Sequence, residues 1–124
     1  MNNILNFLGL MKKAGKLAYG DEACYDAVRT GRAKALLIAS DASPNLINRA
    51  KGYAGEIKGE LITLPVTKAE LGRLLSRESL AVAAVCDKKF AQALIRKLPP
   101  ECLIRIGKRE EVKNKNSEGE REGL

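Results

Sequence analysis

The chain has 124 residues, 45% of them apolar, and carries a formal charge of +7 at neutral pH. That length fits one domain with a hydrophobic core, and a compact basic domain attracts phosphate-rich partners. Three widely spaced cysteines, the absence of a CxxC pair and the absence of histidine argue against a zinc site and a disulfide framework, so no metal and no other cofactor is expected.

Membrane insertion is not expected from the hydropathy pattern. No apolar run approaches the roughly 20 residues that a spanning helix needs. At the N-terminus the apolar residues precede the positive charges, which is the reverse of a signal peptide. We therefore expect a cytoplasmic protein with no membrane partner.

The first half of the chain alternates helix and strand. Residues 3–13 carry a helical apolar stripe that is predicted to end at Gly15, and Leu17–Tyr19 follows as a short strand. Asp21 is expected to cap a helix that ends at Gly31. The next segment, Ala35–Ala39, is apolar throughout, which is typical of a strand covered by helices on both faces.

The second half repeats the alternation. Asp41 or Ser43 is predicted to cap a helix that has Pro44 in its first turn. A strand over 61–66 is followed by Thr67-Lys-Ala-Glu70, which has the spacing of a capping box at a helix start. The run over 80–86 is a further apolar strand, and a last helix begins after Asp87 and ends before Pro99-Pro100.

These elements predict an α/β domain over residues 1–100, with a partly parallel sheet between helices. Residues 101–124 are predicted to be a charged, disordered tail. From residue 107 onward acids and bases balance, so the positive excess belongs to residues 1–106.

No catalytic constellation is evident. The chain lacks histidine as a general base, and neither GxxxxGK[ST] nor GxGxxG occurs. Asp41 near Ser43 resembles an acid beside a nucleophile, but alternate caps for one helix explain the pair better because Pro44 follows immediately. We therefore predict that the chain is not an enzyme.

The basic residues suggest a different activity. In an alternating α/β sheet, helix starts near Gly20, Asp41 and Thr67 collect at one end of the sheet, where backbone N–H groups favour anions. The loop over 76–79 would reach the same end if its strand runs antiparallel to its neighbour. Aromatic residues are sparse, which favours a reader of shaped RNA over a stacking-based binder of single strands.

One long stretch resembles a known signature. Residues 20–44, GDEACYDAVRTGRAKALLIASDASP, resemble the signature of the kink-turn RNA-binding ribosomal protein superfamily, and LGRLLSRESLAVAAV resembles its helix, recognition loop and last strand. Ala14-Gly15-Lys16 is similar to the "AGK" of the bacterial YlxQ-like branch. The resemblance covers residues 1–98. It implies a three-layer α/β/α sandwich with a four-stranded mixed sheet, no catalytic activity, and binding of sharply bent RNA by the start of the second helix and a hydrophobic loop.

The signature is retained only in part. Its turn glycine is Gly20 and its helix-opening lysine is Lys68, but its asparagine falls at Glu22, its glutamate at Ala23 and its lysine at Asp26. An acceptor-only carboxylate thus replaces an amide, and an acid replaces a base. The residues predicted to bind RNA are Lys16, Gly20, Asp21, Glu22, Asp26, Arg32, Lys34, Lys68, Arg73, Arg77, Ser79 and Leu80.

The leading hypothesis is a monomer that binds structured RNA without catalysis. The expected ligand is ribosomal or another kinked RNA, and the ribosome is a candidate partner. The alternative is a protein-interaction module that kept the fold and lost kink-turn binding, with Glu22 and Asp26 in a new protein surface. A weaker third hypothesis, by analogy of fold alone, is the RNA-recognising accessory of a methyltransferase on another chain.

Overall fold

A computed structural model describes residues 2–104, with side chains from residue 4 onward. Within this range the helices are α1 (Asn2–Lys13), α2 (Asp21–Arg29), α3 (Pro44–Ile57), α4 (Lys68–Leu74) and α5 (Lys88–Lys97). The strands are β1 (Leu17–Tyr19), β2 (Ala35–Ile38), β3 (Glu60–Thr63), β4 (Val82–Val85) and β5 (Leu103–Ile104). A 3-10 turn, Pro100–Cys102, leads into β5.

The strands form one mixed sheet in the order β1-β4-β2-β3-β5. β2 and β3 are parallel, β4 is antiparallel to both β1 and β2, and β5 is antiparallel to β3. The described residues therefore form five strands, and the expectation of a four-stranded sheet is wrong. The additional strand, β5, pairs Leu103 with Ile62 and Ile104 with Leu61. A strand of two residues is too short to show a periodic apolar pattern, and β5 also follows the prolines that end the last helix. The sequence therefore does not indicate it.

The 3-10 turn and β5 continue the fold past residue 100, where the tail was expected to begin. The rest of the expected tail, residues 105–124, lies outside the described residues. Among residues 2–104, no helix combines the length and apolar character required to cross a bilayer.

Two hydrophobic cores make the domain a three-layer α/β/α sandwich. The first core packs α1, α4 and α5 on one face of the sheet, and the second packs α2 and α3 on the other. β2 illustrates the division, because Ala35 and Leu37 belong to the first core whereas Leu36 and Ile38 belong to the second. Every side chain of β2 and of β4 is buried, as expected for strands covered on both faces.

Local capping sets most helix boundaries. Gly15 and Gly31 adopt left-handed φ values of +73° and +78° after α1 and α2, as predicted. Ser43, not Asp41, caps α3, since its hydroxyl accepts a hydrogen bond from the Leu46 N–H at 3.2 Å. Asp21 does not cap α2. The cap position is Gly20, which offers no side chain.

The strand directions give the sheet two distinct ends. We call the end where β1, β2 and β3 finish and β4 begins the carboxyl end, and the end where β1, β2 and β3 begin the amino end. Because a strand of four residues is about 13 Å long, one phosphate group cannot contact both ends.

Candidate nucleic-acid interface at the carboxyl end

Backbone hydrogen bonds join four chain segments at the carboxyl end. The Gly20 N–H donates to the Val82 carbonyl at 3.0 Å, and the Ser40 N–H donates to the Val66 carbonyl at 2.8 Å. The link after β2 is also held to the start of β4, since the Ala39 N–H donates to the Ala81 carbonyl at 2.9 Å. The antiparallel direction of β4 brings the loop over 76–80 to this end, as the sequence argument required.

The backbone of Lys68 is hydrogen-bonded to two of the segments at the carboxyl end. Its N–H donates to the Asp41 carboxylate at 2.8 Å, and its carbonyl accepts from the Leu80 N–H at 3.0 Å. The predicted capping box is present immediately before it, with Thr67 and Glu70 exchanging bonds with each other's backbone N–H. Asp41 therefore supports the start of α4 rather than that of α3, a role the local sequence does not reveal.

The loop between α4 and β4 packs directly onto α4 through Gly72. A Cβ at Gly72 would lie 2.8 Å from the Ser79 Cα and 2.9 Å from the Arg77 carbonyl oxygen. The Arg77 N–H also donates to the Gly72 carbonyl at 2.7 Å, and Ser76 turns the chain with a left-handed φ of +61°. This contact fixes the position of the loop relative to Lys68.

Arg77 crosses from that loop to the end of β1. Its guanidinium carbon lies 5.3 Å from the centre of the Tyr19 ring, within the range of a cation–π contact. The position that a Gly20 Cβ would occupy is 3.8 Å from the Arg77 Nη1. Gly20 has a φ of +96° that side-chain-bearing residues rarely adopt, and its half-buried backbone lies beside the guanidinium with no Cβ between them.

Three further residues predicted to bind RNA lie in this region, and they differ in exposure. Ser79 in the loop and Arg73 on α4 are both exposed. Leu80, expected as an apolar loop tip, is only 5% exposed and belongs to the first core. The prediction of Leu80 as an accessible contact is therefore wrong, because its N–H is bonded to Lys68 and its side chain packs inward.

The three acids of α2 differ in their surroundings, and two of them, Glu22 and Asp26, stand at positions that depart from the signature. Asp21 pairs with Arg49 of α3, whereas Glu22 is exposed in the first turn of α2. Asp26 binds two arginines, with Oδ1 at 3.1 Å from the Arg29 Nη2 and Oδ2 at 3.0 Å from the Arg32 Nη2. The Asp26 carboxylate is thus neutralised locally.

The remaining predicted bases do not join this group. Lys16 precedes β1 and Lys34 precedes β2, and their backbones are bonded to Cys86 and Val85 at the finish of β4. Arg32 lies two residues before Lys34. Since β1 and β2 run in the same direction, residues that precede them lie at the amino end, away from Lys68. The sequence predicts all three as RNA contacts alongside Lys68, because position along the chain does not reveal to which end of the sheet a loop belongs.

The chemistry of the described residues points to binding. No group of three or more potential metal ligands occurs among residues 2–104. Burial, with a smaller contribution from the charge of Asp21, raises the pKa of the Cys24 thiol to about 12, so this cysteine is protonated and packed in the second core. The carboxyl end instead combines guanidinium and ammonium groups with the backbone of Gly20, which no side chain covers.

The comparisons with known proteins agree with the fold. Residues 2–95 match the "Ribosomal protein L7Ae/L30e/S12e/Gadd45 family". The RNA-binding protein YlxQ of Bacillus subtilis (strain 168) is 34% identical over 92 residues, which cover 71% of this chain and 87% of that protein. A protein of the same name from Enterococcus faecium is 28% identical over 88 residues, covering 71% and 84%. A solved structure of a protein with unknown function from Bacillus halodurans C superposes with a TM-score of 0.67 at 25% identity, covering 75% of this chain and 93% of that chain.

The sandwich and its capped carboxyl end define the class of small ribosomal-protein-like α/β/α domains. The chain belongs to the matched ribosomal protein family and is similar to the bacterial YlxQ proteins, which confirms the predicted relationship. That membership also confirms the prediction that the chain is not an enzyme, because the matched family is one of ribosomal proteins and the two relatives are named RNA-binding proteins.

Proposed function

We propose that this protein binds structured, sharply bent RNA through the carboxyl end of its sheet, in a ribosome-associated role in the cytoplasm. The observation that carries the proposal is the convergence of bare backbone at Gly20, the Arg77 guanidinium above it, and the α4 start at Lys68. The names of two relatives support RNA as the ligand, since both are called RNA-binding proteins.

The geometry suits a bent RNA strand better than a flat surface. Gly20 lets a backbone approach closely, because no Cβ stands in the way. The Arg77 guanidinium is positioned by Tyr19, and a planar guanidinium can donate two parallel hydrogen bonds to a phosphate. The loop is held on α4 through Gly72, so Arg77 and Lys68 are already positioned relative to each other before RNA binds. Binding therefore loses little conformational entropy.

The local charge limits the affinity that this end can supply. Glu22 is exposed beside Gly20, and Glu78 lies next to Arg77 in the loop. These carboxylates repel a phosphate backbone, whereas Asp21 and Asp26 are compensated by arginines. The proposed RNA therefore has a shape that keeps its phosphates near Lys68 and Arg77 and away from Glu22.

A substitution pair tests the proposal. In K68Q/R77Q both bases become neutral, and we expect affinity for a kink-turn RNA to fall roughly 25-fold at physiological salt, because each lost phosphate contact costs about fivefold. The matched control is K51E, which changes the net charge by the same amount on the exposed middle of α3. Fluorescence titration measures the affinities, and thermal unfolding checks that each variant is folded. Equal losses in the two variants would remove this surface as the RNA site.

A second candidate function, protein docking, is favoured by the outer surface of α2. Tyr25 is 53% exposed and lies three residues after Glu22, so the two share one face of the helix. This face suits a partner with complementary basic and apolar groups. Co-purification of a protein after complete nuclease digestion would support docking, and loss of every partner on digestion would favour RNA.

A further inference from the structure

A cleft of about 440 Å³ opens at the amino end of the sheet, opposite the proposed interface. Three lysines and one glutamate provide the charged side chains of its wall: Lys34, Lys58, Lys88 and Glu56. The three lysines are exposed, and they come from three separate segments of the chain. Lys34 precedes β2, Lys58 follows α3, and Lys88 begins α5.

Backbone contacts hold the three segments together. The Lys34 N–H donates to the Val85 carbonyl at 2.7 Å, which ties the approach to β2 to the exit from β4, three residues before Lys88. A Cβ at Gly59 would lie 2.5 Å from the Lys34 carbonyl oxygen, so only glycine permits the link between α3 and β3 to pass this close. Lys58 turns that link with a left-handed φ of +54°.

Charged residues that do not line the cleft also lie near it. Lys16 lies at the same end, since its carbonyl accepts a hydrogen bond from the Cys86 N–H at 2.8 Å. Two nearby carboxylates are engaged elsewhere, because Asp87 caps α5 through the Phe90 N–H and Asp26 binds Arg29 and Arg32. Glu60, the first residue of β3, is exposed next to Gly59. Three lysines against one glutamate give the wall of the cleft a net positive charge, and the Lys34 ammonium is held there by a 3.3 Å hydrogen bond to the Gly31 carbonyl. A positive wall favours a phosphate-bearing ligand.

We propose that this lysine cleft is a second RNA-contacting site, which binds the phosphodiester backbone of a segment other than the one at the carboxyl end. The inference deepens the proposed function and depends on it, because the ligand is again RNA. The two ends lie on opposite sides of strands about 13 Å long. The domain thus bridges two backbone segments, with shape recognition at the carboxyl end and charge at the amino end.

The test compares two variants that differ from the native charge by the same amount. K34Q/K58Q/K88Q neutralises the cleft, while K51E/Q92E places the same change on the exposed middles of α3 and α5, away from both ends. The probe is a kink-turn RNA with two helical arms, titrated over a range of salt concentrations. We expect the cleft variant to lose roughly 30- to 100-fold in affinity and the slope of log affinity against log salt to fall by about two to three. The control should change far less.

The outcomes separate the two proposals. If the native protein shows no preference for the kinked RNA, the proposed function fails, and the cleft inference fails with it. If the native protein binds but the cleft variant behaves as the control does, only the inference is overturned. Amide chemical-shift changes give a second readout in the native protein: RNA should perturb residues 34, 58 and 88 as well as 20 and 77, and perturbation of the carboxyl end alone would contradict the cleft.

Inorganic phosphate and a mononucleotide serve as additional probes. We expect either to perturb the cleft amides only weakly, because each offers a single phosphate group where a backbone offers several. Saturation of the cleft by a small phosphate, with no competition from RNA, would overturn the assignment to a phosphodiester backbone.

Discussion

At the scale of single residues, Gly72 is the position on which the proposed interface depends most directly. Its lack of a side chain lets the loop that carries Arg77 and Ser79 rest on α4, with backbone atoms 2.8 to 2.9 Å from where a Cβ would be. Backbone cannot withdraw as a flexible side chain can, so any larger residue must displace the loop or the helix.

The substitution Gly72→Ala is therefore expected to lower the free energy of unfolding by about 2 kcal/mol and to weaken RNA binding. Gly52→Ala is the matched control, because Gly52 lies in α3 with open space around its Cβ position. There the better helix propensity of alanine should raise stability by about 0.5 to 1 kcal/mol. Chemical denaturation measures both effects. If Gly72→Ala did not lower the free energy of unfolding relative to Gly52→Ala, the close packing of the loop on Gly72 would be contradicted.

At the scale of elements, β5 completes the sheet. It covers the outer side of β3, which would otherwise present unpaired backbone groups. Leu103 packs against the first core and Ile104 against the second, so two residues contribute to both layers.

We expect L103A/I104A to lower the free energy of unfolding by about 2 kcal/mol, since two half-buried aliphatic side chains are removed. Glu101→Ala, at an exposed neighbouring position, should leave the stability nearly unchanged. Equal stability of the two variants, measured by thermal or chemical unfolding, would show that residues 103–104 behave as a tail.

At the scale of the whole molecule, the net charge of +7 and the shape of the interface make different contributions to binding. Charge acts on any polyanion and is strongly weakened by salt. Shape recognition depends on how the backbone of the ligand fits around Gly20 and Arg77, and it responds much less to salt.

The native protein is accordingly expected to prefer a kink-turn RNA over a straight duplex of equal length, with the preference retained at the higher of two salt concentrations. Affinity for the straight duplex should fall steeply with salt, because only phosphate contacts contribute to it. Equal, salt-sensitive affinities for both RNAs would mean that net charge alone is responsible, and that the RNA-binding proposal lacks its recognition of shape.

The sequence by itself determined the helices, the first four strands and most of their ends. Glycine stops, the Thr67–Glu70 capping box and continuous apolar strands are local signals, because each depends on residues a few positions apart. The Gly20–Pro44 signature also sufficed to identify the family. These features need no knowledge of which segments meet.

The tertiary structure alone decided which side chains share a surface. Asp21 pairs with Arg49 and Asp41 supports Lys68 across 28 and 27 positions of the chain. Strand direction separated Lys16, Arg32 and Lys34 from Lys68 and Arg77, and packing turned Leu80 into the core. Such outcomes follow from contacts between distant segments, and local propensity carries no information about them.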